Sequence, residues 1–132
     1  MANDKIVLGK SHSTTVAVDS TNTATAVHSG GLEVFSTPSM IALMECAAYE
    51  CIETDLEQGQ TTVGTMVNIV HSAASPIGAE ITATATVTSV DKRMVHFDVT
   101  ASDGHGEIGS GTHTRAIIDT ERFMAKLEAK KA

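Results

Sequence analysis

Thr37-Pro38-Ser39-Met40-Ile41-Ala42-Leu43-Met44-Glu45-Cys46-Ala47-Ala48-Tyr49-Glu50-Cys51-Ile52-Glu53-Thr54 is the stretch that decides the architecture. Met40, Met44, Ala47, Ala48 and Cys51 recur at the three- and four-residue steps of one helical face, with Ile41 and Ile52 beside it. Thr37 is expected as the N-cap and Pro38 at the first helical position, where a missing N–H costs nothing. Because the face is rich in Ala, a second layer can approach it closely. Tyr49 and Glu53 sit on the polar margin. Glu45 and Glu50 fall at opposite margins of the apolar face, so the helical wheel alone does not choose between them.

Beyond this helix the period shortens to two. Ile81-Thr82-Ala83-Thr84-Ala85-Thr86-Val87-Thr88 places its apolar residues on one face and its threonines on the other, a strand pattern. Asp91-Lys92-Arg93 reads as a turn, and Met94 to Ser102 alternates again, with Val95, Phe97, Val99 and Ala101 on one side. A Gly-rich turn, Asp103 to Gly106, leads into a strand over Glu107 to Asp119. These three form an antiparallel meander. Thr61 to His71 reads as a further strand, closed off by Pro76 and Gly78, and Ser13 to Val18 as a first one. A short, charged helix after Thr120 is expected to pack through Phe123, Met124 and Leu127. One long apolar-faced helix against one antiparallel sheet of about five strands is an α+β architecture, and a sheet curled around such a helix is a hotdog fold. The whole chain, 1–132, reads as one such domain. An open sheet must cover its edges, which makes a homodimer the expected form.

Composition narrows the function classes. The chain has 132 residues, 42% hydrophobic and 19% charged, with a formal net charge of −7. That length suits one core. Nine Lys and Arg against sixteen Asp and Glu leave no basic stripe for nucleic acid. No run approaches the roughly 20 apolar residues that span a bilayer. The stretch from Met1 to Lys10 lacks the apolar segment of a secretory signal, so a cytoplasmic protein is expected. Cys46 and Cys51 point to separate sides of one helix and do not pair.

Several motifs invite chemistry that their context withholds. Gly104-His105-Gly106-Glu107-Ile108-Gly109 is a literal GxGxxG, yet it precedes a strand and not the helix a pyrophosphate site requires. It reads as a hairpin turn. The six histidines show no HExxH and no helical pair four apart, so no metal and no cofactor is expected. His96 and His113 sit in alternating strands and are expected at the surface or at an edge. His71 ends an apolar strand just before the small-residue turn Ser72-Ala73-Ala74-Ser75-Pro76-Ile77-Gly78.

Taken together, Thr37-Pro38, Glu45, Val63-Gly64-Thr65, His71 to Gly78 and Ile108-Gly109-Ser110-Gly111-Thr112-His113-Thr114-Arg115 resemble the hotdog thioesterases of the fluoroacetyl-CoA thioesterase-like family. The likeness runs from about Val34 to Ile118 and includes the separations between Thr37, Glu45 and His71. It implies an acyl-CoA thioesterase with Thr37, Glu45 and His71 as its catalytic set. It also implies substrate contacts from the Gly64 backbone and from Arg115. The chemistry is consistent with this. A poorly solvated carboxylate beside an apolar face suits a base or nucleophile, and a neutral imidazole can pass a proton to the departing thiolate. Backbone N–H groups at a Gly64 turn or at the helix start suit an oxyanion.

Two rivals stay on the page. Acyl-carrier dehydratases of this fold place their histidine before the central helix, whereas His71 follows it. A non-catalytic acyl-CoA binding module would not need Glu45 and His71. With one Tyr, three Phe and no Trp, the chain has few aromatic walls, so a short acyl group is expected and not an aryl or long fatty one. No aromatic residue lies between His28 and Val34 to gate the pocket, so fluoroacetyl specificity is not expected. The coenzyme A phosphates would need local cations, from Lys92-Arg93 or the C-terminal lysines.

Overall fold

The computed structural model describes residues 5–131. Part of the N-terminal stretch read above for a leader therefore lies outside the described residues. The chain runs β1 (Ser11–Ala17), α1 (Thr37–Glu53), β2 (Gln60–His71), β3 (Glu80–Asp91), β4 (Met94–Ser102), β5 (Glu107–Asp119) and α2 (Thr120–Ala129). The five strands form one antiparallel sheet in the order β1-β3-β4-β5-β2, with α1 against its inner face. The expected α+β hotdog arrangement is what forms.

Alternation decides which face of each strand is buried. Ile81, Ala83, Ala85 and Val87 of β3 and Val95, Phe97, Val99 and Ala101 of β4 are all buried, as their spacing predicts. Against them lie Met40, Met44, Ala47, Ala48, Cys51 and Ile52 of α1. The small Ala side chains on both layers let helix and sheet approach closely. The outward threonines pair across strands instead: Ser13 with Thr84 at 2.7 Å and Thr15 with Thr82 at 3.0 Å.

Two local readings need correction. Ser36, not Thr37, is the N-cap of α1: its hydroxyl accepts the Ser39 N–H at 3.1 Å. Ser36 is buried and fixed in place, so Thr37 becomes the first helical residue and keeps its hydroxyl for other partners. The second concerns α2, which has no buried residue. Phe123 is half-buried, whereas Met124 and Leu127 are exposed, because the helix leaves the end of β5 and touches little else. The glycine-rich motif is a turn, as expected, with Gly104 at φ +91 and strand β5 following.

β2 is an edge strand, and it is irregular. Its pairing with β5 slips between Gly64 and Met66, so Thr65 is an extra residue, a β-bulge. Gly64 thus lies in a bulged strand and not in a turn. From Gly64 to Asn68 the strand is exposed, as is Val70.

Candidate active site

The site residues gather in two clusters along α1. At its N-terminal end the Thr37 hydroxyl lies 2.8 Å from His71 Nδ1. Both line a cavity of about 280 Å³ with Phe35, Ser36, Ser29, Ser72 and Ala74 among its walls. His71 is carried there by the end of β2, where Ser72 N–H donates to the Ile108 carbonyl and stops the strand from drifting. Its Nε2 is buried and has no hydrogen-bond partner. A buried, unpaired polar atom costs about 1–3 kcal/mol, so this nitrogen, on a residue that lines the cavity, marks a place for a missing partner group or a proton.

The second cluster centres on Glu45, eight residues and about 12 Å further along the helix axis. Arg115 NH1 donates to Glu45 Oε2 at 3.3 Å, and His113 Nε2 stands 3.9 Å from the same oxygen. A Cβ at Gly64 would collide with the Glu45 carboxylate and press on His113 and Arg115, so only glycine leaves room for this carboxylate against β2. Glu50 points the other way and meets His12 of β1 at 3.1 Å. The choice that the helical wheel left open is made by the strands: Glu45 faces Gly64 and Arg115, and Glu50 does not.

Arg115 is buried. Its Nε donates to Thr62 Oγ1 at 2.8 Å and its NH2 to the Thr62 carbonyl at 3.1 Å, and the guanidinium lies 5.7 Å from the Tyr49 ring centroid. Burial draws its pKa below the ordinary arginine value, against the pull of Glu45, and it remains a cation. His113, expected at a surface or edge, is instead buried on interior strand β5, stacked on Phe97 at 6.1 Å. The expectation failed because β5 is covered on both sides by β4 and β2, so its inward residues belong to the core. The alternation of Thr112-His113-Thr114-Arg115 already put His113 and Arg115 on one face, and that was the usable signal.

No metal-binding group of three His, Cys, Asp or Glu exists among the described residues, and no helix among them is long and apolar enough to cross a membrane. Burial pushes the Cys46 and Cys51 thiols up, so neither is a ready nucleophile.

A family model described as fluoroacetyl-CoA-specific thioesterase matches residues 18–121. The fluoroacetyl-CoA thioesterase of Streptantibioticus cattleyicolor is 45% identical over 98 residues, 74% of this chain and 70% of that protein. A solved structure of a fluoroacetyl-CoA thioesterase superposes with a TM-score of 0.90 at 36% identity, covering 95% of this chain and 97% of that one. Another, of a variant bound to fluoroacetate and CoA, gives 0.84 at 35% identity over 89% of this chain and 99% of that one. A hot-dog-like protein from Thermanaerovibrio acidaminovorans reaches 0.90 at 24% identity over 98% and 96%, a likeness of fold alone. The sequence match extends through both clusters on α1 and through the strands that face them, and the chain belongs to the fluoroacetyl-CoA-specific thioesterase family.

Proposed function

We propose that this acyl-CoA thioesterase removes a short acyl group from coenzyme A and works as a homodimer. The observation that carries the reading is the Thr37–His71 hydrogen bond of 2.8 Å on the wall of a 280 Å³ cavity, with His71 Nε2 left without a partner. The cavity lies just below the roughly 300–1,000 Å³ range of drug-sized sites, and its walls are mostly small residues. A thioester carbonyl seated there has the Thr37 hydroxyl to orient it or a water. His71 is placed to give the departing thiolate its proton as the C–S bond breaks, and Glu45 either takes a proton from the water that attacks the carbonyl carbon or attacks that carbon itself. Backbone N–H groups at the Gly64–Thr65 bulge are candidates for the oxyanion.

Within one chain Glu45 is about 12 Å from Thr37 along the helix, too far to share one thioester. Pairing two β2 edges antiparallel about a two-fold axis near Val67 sets Gly64 opposite Val70 of the partner subunit. It therefore brings Glu45 towards His71 of the partner subunit. The same pairing covers Met66, Val67 and Val70, apolar side chains exposed along that edge. For the coenzyme A phosphates we assign Arg93, Arg122 and Lys126, three cations against the one carboxylate of Asp119 in a 170 Å³ cavity that Phe123 and Ile118 also line. The two unpaired thiols fit a reducing compartment, and we assign the protein to the cytoplasm, which fractionation beside a cytosolic marker checks.

Thiol release from a panel of acyl-CoAs tests the reading. The expected maximum of kcat/KM falls among the shortest chains. A maximum at about eight carbons or beyond, or with a benzoyl thioester, would overturn the substrate class.

A further inference from the structure

Glu45 is aimed by Arg115, and what aims Arg115 is itself a chain of buried hydrogen bonds. His113 and Arg115 stand two apart on β5 and so project from the same face. The His113 ring is fixed at three points. Nδ1 lies 2.7 Å from the carbonyl of Met66, Nε2 lies 3.2 Å from Arg115 NH1, and Phe97 stacks on the ring. A carbonyl only accepts and a guanidinium only donates, so these partners fix the tautomer: Nδ1–H donates to Met66, and Nε2 accepts from Arg115. The Met66 carbonyl is within reach at the β-bulge on Thr65, directly after Gly64.

We propose that His113 is a positioning residue for thioester hydrolysis: held with its proton on Nδ1 by the bulge carbonyl, it fixes Arg115 NH1 against Glu45. This rests on the thioesterase reading and adds to it a residue that touches neither substrate nor thiol. NH1 is shared by two acceptors, Glu45 Oε2 and His113 Nε2, while Thr62 takes Nε and NH2. Removing the His113 acceptor leaves NH1 free to swing about the Thr62 anchor, and Glu45 loses its fixed orientation. A protonated ring would set a donor against a donor beside a guanidinium, so His113 serves only as the neutral form. The charged and titratable groups that face this arrangement are Glu45 and Tyr49 on α1 and Arg115 on β5, with Glu53 of α1 acting on Arg115.

Two amide variants separate the two hydrogen bonds. His113→Asn can still donate to Met66 from its amide nitrogen but offers no acceptor where Nε2 stood, so NH1 of Arg115 keeps Glu45 alone. His113→Gln carries an amide oxygen about where Nε2 stood and can accept from NH1. The expected result is a kcat about 10- to 100-fold lower in His113→Asn with KM little changed, and recovery of most of that loss in His113→Gln. An Asn variant with undiminished kcat, or a Gln variant as slow as Asn, would overturn the proposal. A kcat loss matched by a proportionate rise in KM would also overturn it. ¹⁵N imidazole spectra of the unmodified protein give a readout without turnover, so the proposal stays open to test even where a variant fails to fold. A neutral ring protonated on Nδ1 at pH about 7 is expected, and an imidazolium there would refute it. If the unmodified protein releases no thiol from any acyl-CoA, the thioesterase reading fails, and the spectra still decide the tautomer.

Discussion

A carboxylate on α1 takes its neighbours from the strand opposite it. Glu45 and Glu50 have the same side chain and mirror-image positions on one helix, yet Glu45 meets Gly64 and Arg115 while Glu50 meets His12 at the far edge. Glu45→Gln and His71→Ala are each expected to lower kcat by at least about 10²-fold, the usual scale for losing a general acid or base. Glu50→Gln should leave turnover nearly unchanged. A silent Glu45→Gln beside an inactive Glu50→Gln would reverse the assignment. His113 adds a pH dependence of stability. Burial places its folded-state pKa below the ordinary 6.5, so the unfolded chain takes up the proton first. The contribution is therefore complete above about 6.5 and is lost as the pH falls through the lower folded-state value. Thermal unfolding from pH about 7 to 5 should show Tm falling, with a shallower slope in His113→Gln; equal slopes would remove His113 as the cause. Glu45, Gly64, His71 and Arg115 were visible in the sequence through a resemblance. The burial of His113 was not, because a strand's alternation gives its faces but not its place in the sheet.

Elements were legible to different depths. The 81–87 and 95–101 alternations predicted which face of β3 and β4 is buried, because a two-residue period leaves one choice of face. The start of α1 was misread by one residue, since Ser36 and Thr37 are both good caps and only the fold shows which hydroxyl reaches the third N–H. With Ser36 as the cap, the two neighbouring hydroxyls have separable effects. Thr37→Ala should slow turnover with little loss of helix stability, whereas Ser36→Ala should destabilise the protein by about 1 kcal/mol. Denaturant unfolding of the two variants beside their kcat values checks this, and a stability loss confined to Thr37→Ala would contradict the Ser36 cap. The α2 helix was legible as a helix and not as a packed one: its apolar triplet has the right spacing, but spacing does not supply a surface to cover it.

At the scale of the whole molecule, the proposed site residues, with Glu45 apart from Thr37 and His71, would make the assembly part of the chemistry. If each site takes Glu45 from one subunit and His71 from the other, mixing Glu45→Gln with His71→Ala subunits must rebuild one intact site in every mixed dimer. Statistical exchange then restores about a quarter of the full activity, because half the dimers are mixed and each holds one good site of two. Mixing that restores nothing would place Glu45 and His71 in the same subunit's site. The open sheet edge points to a homodimer, but neither the helical wheel nor the strand pattern assigns a site residue to one subunit or the other. The bulge at Thr65 then acquires a second meaning. The strand that would join the subunits also carries the carbonyl holding His113 and the glycine that makes room for Glu45. An enzyme built this way would lose its specific activity on dilution before it lost its fold, so its concentration in the cell would set how much of it is an enzyme at all.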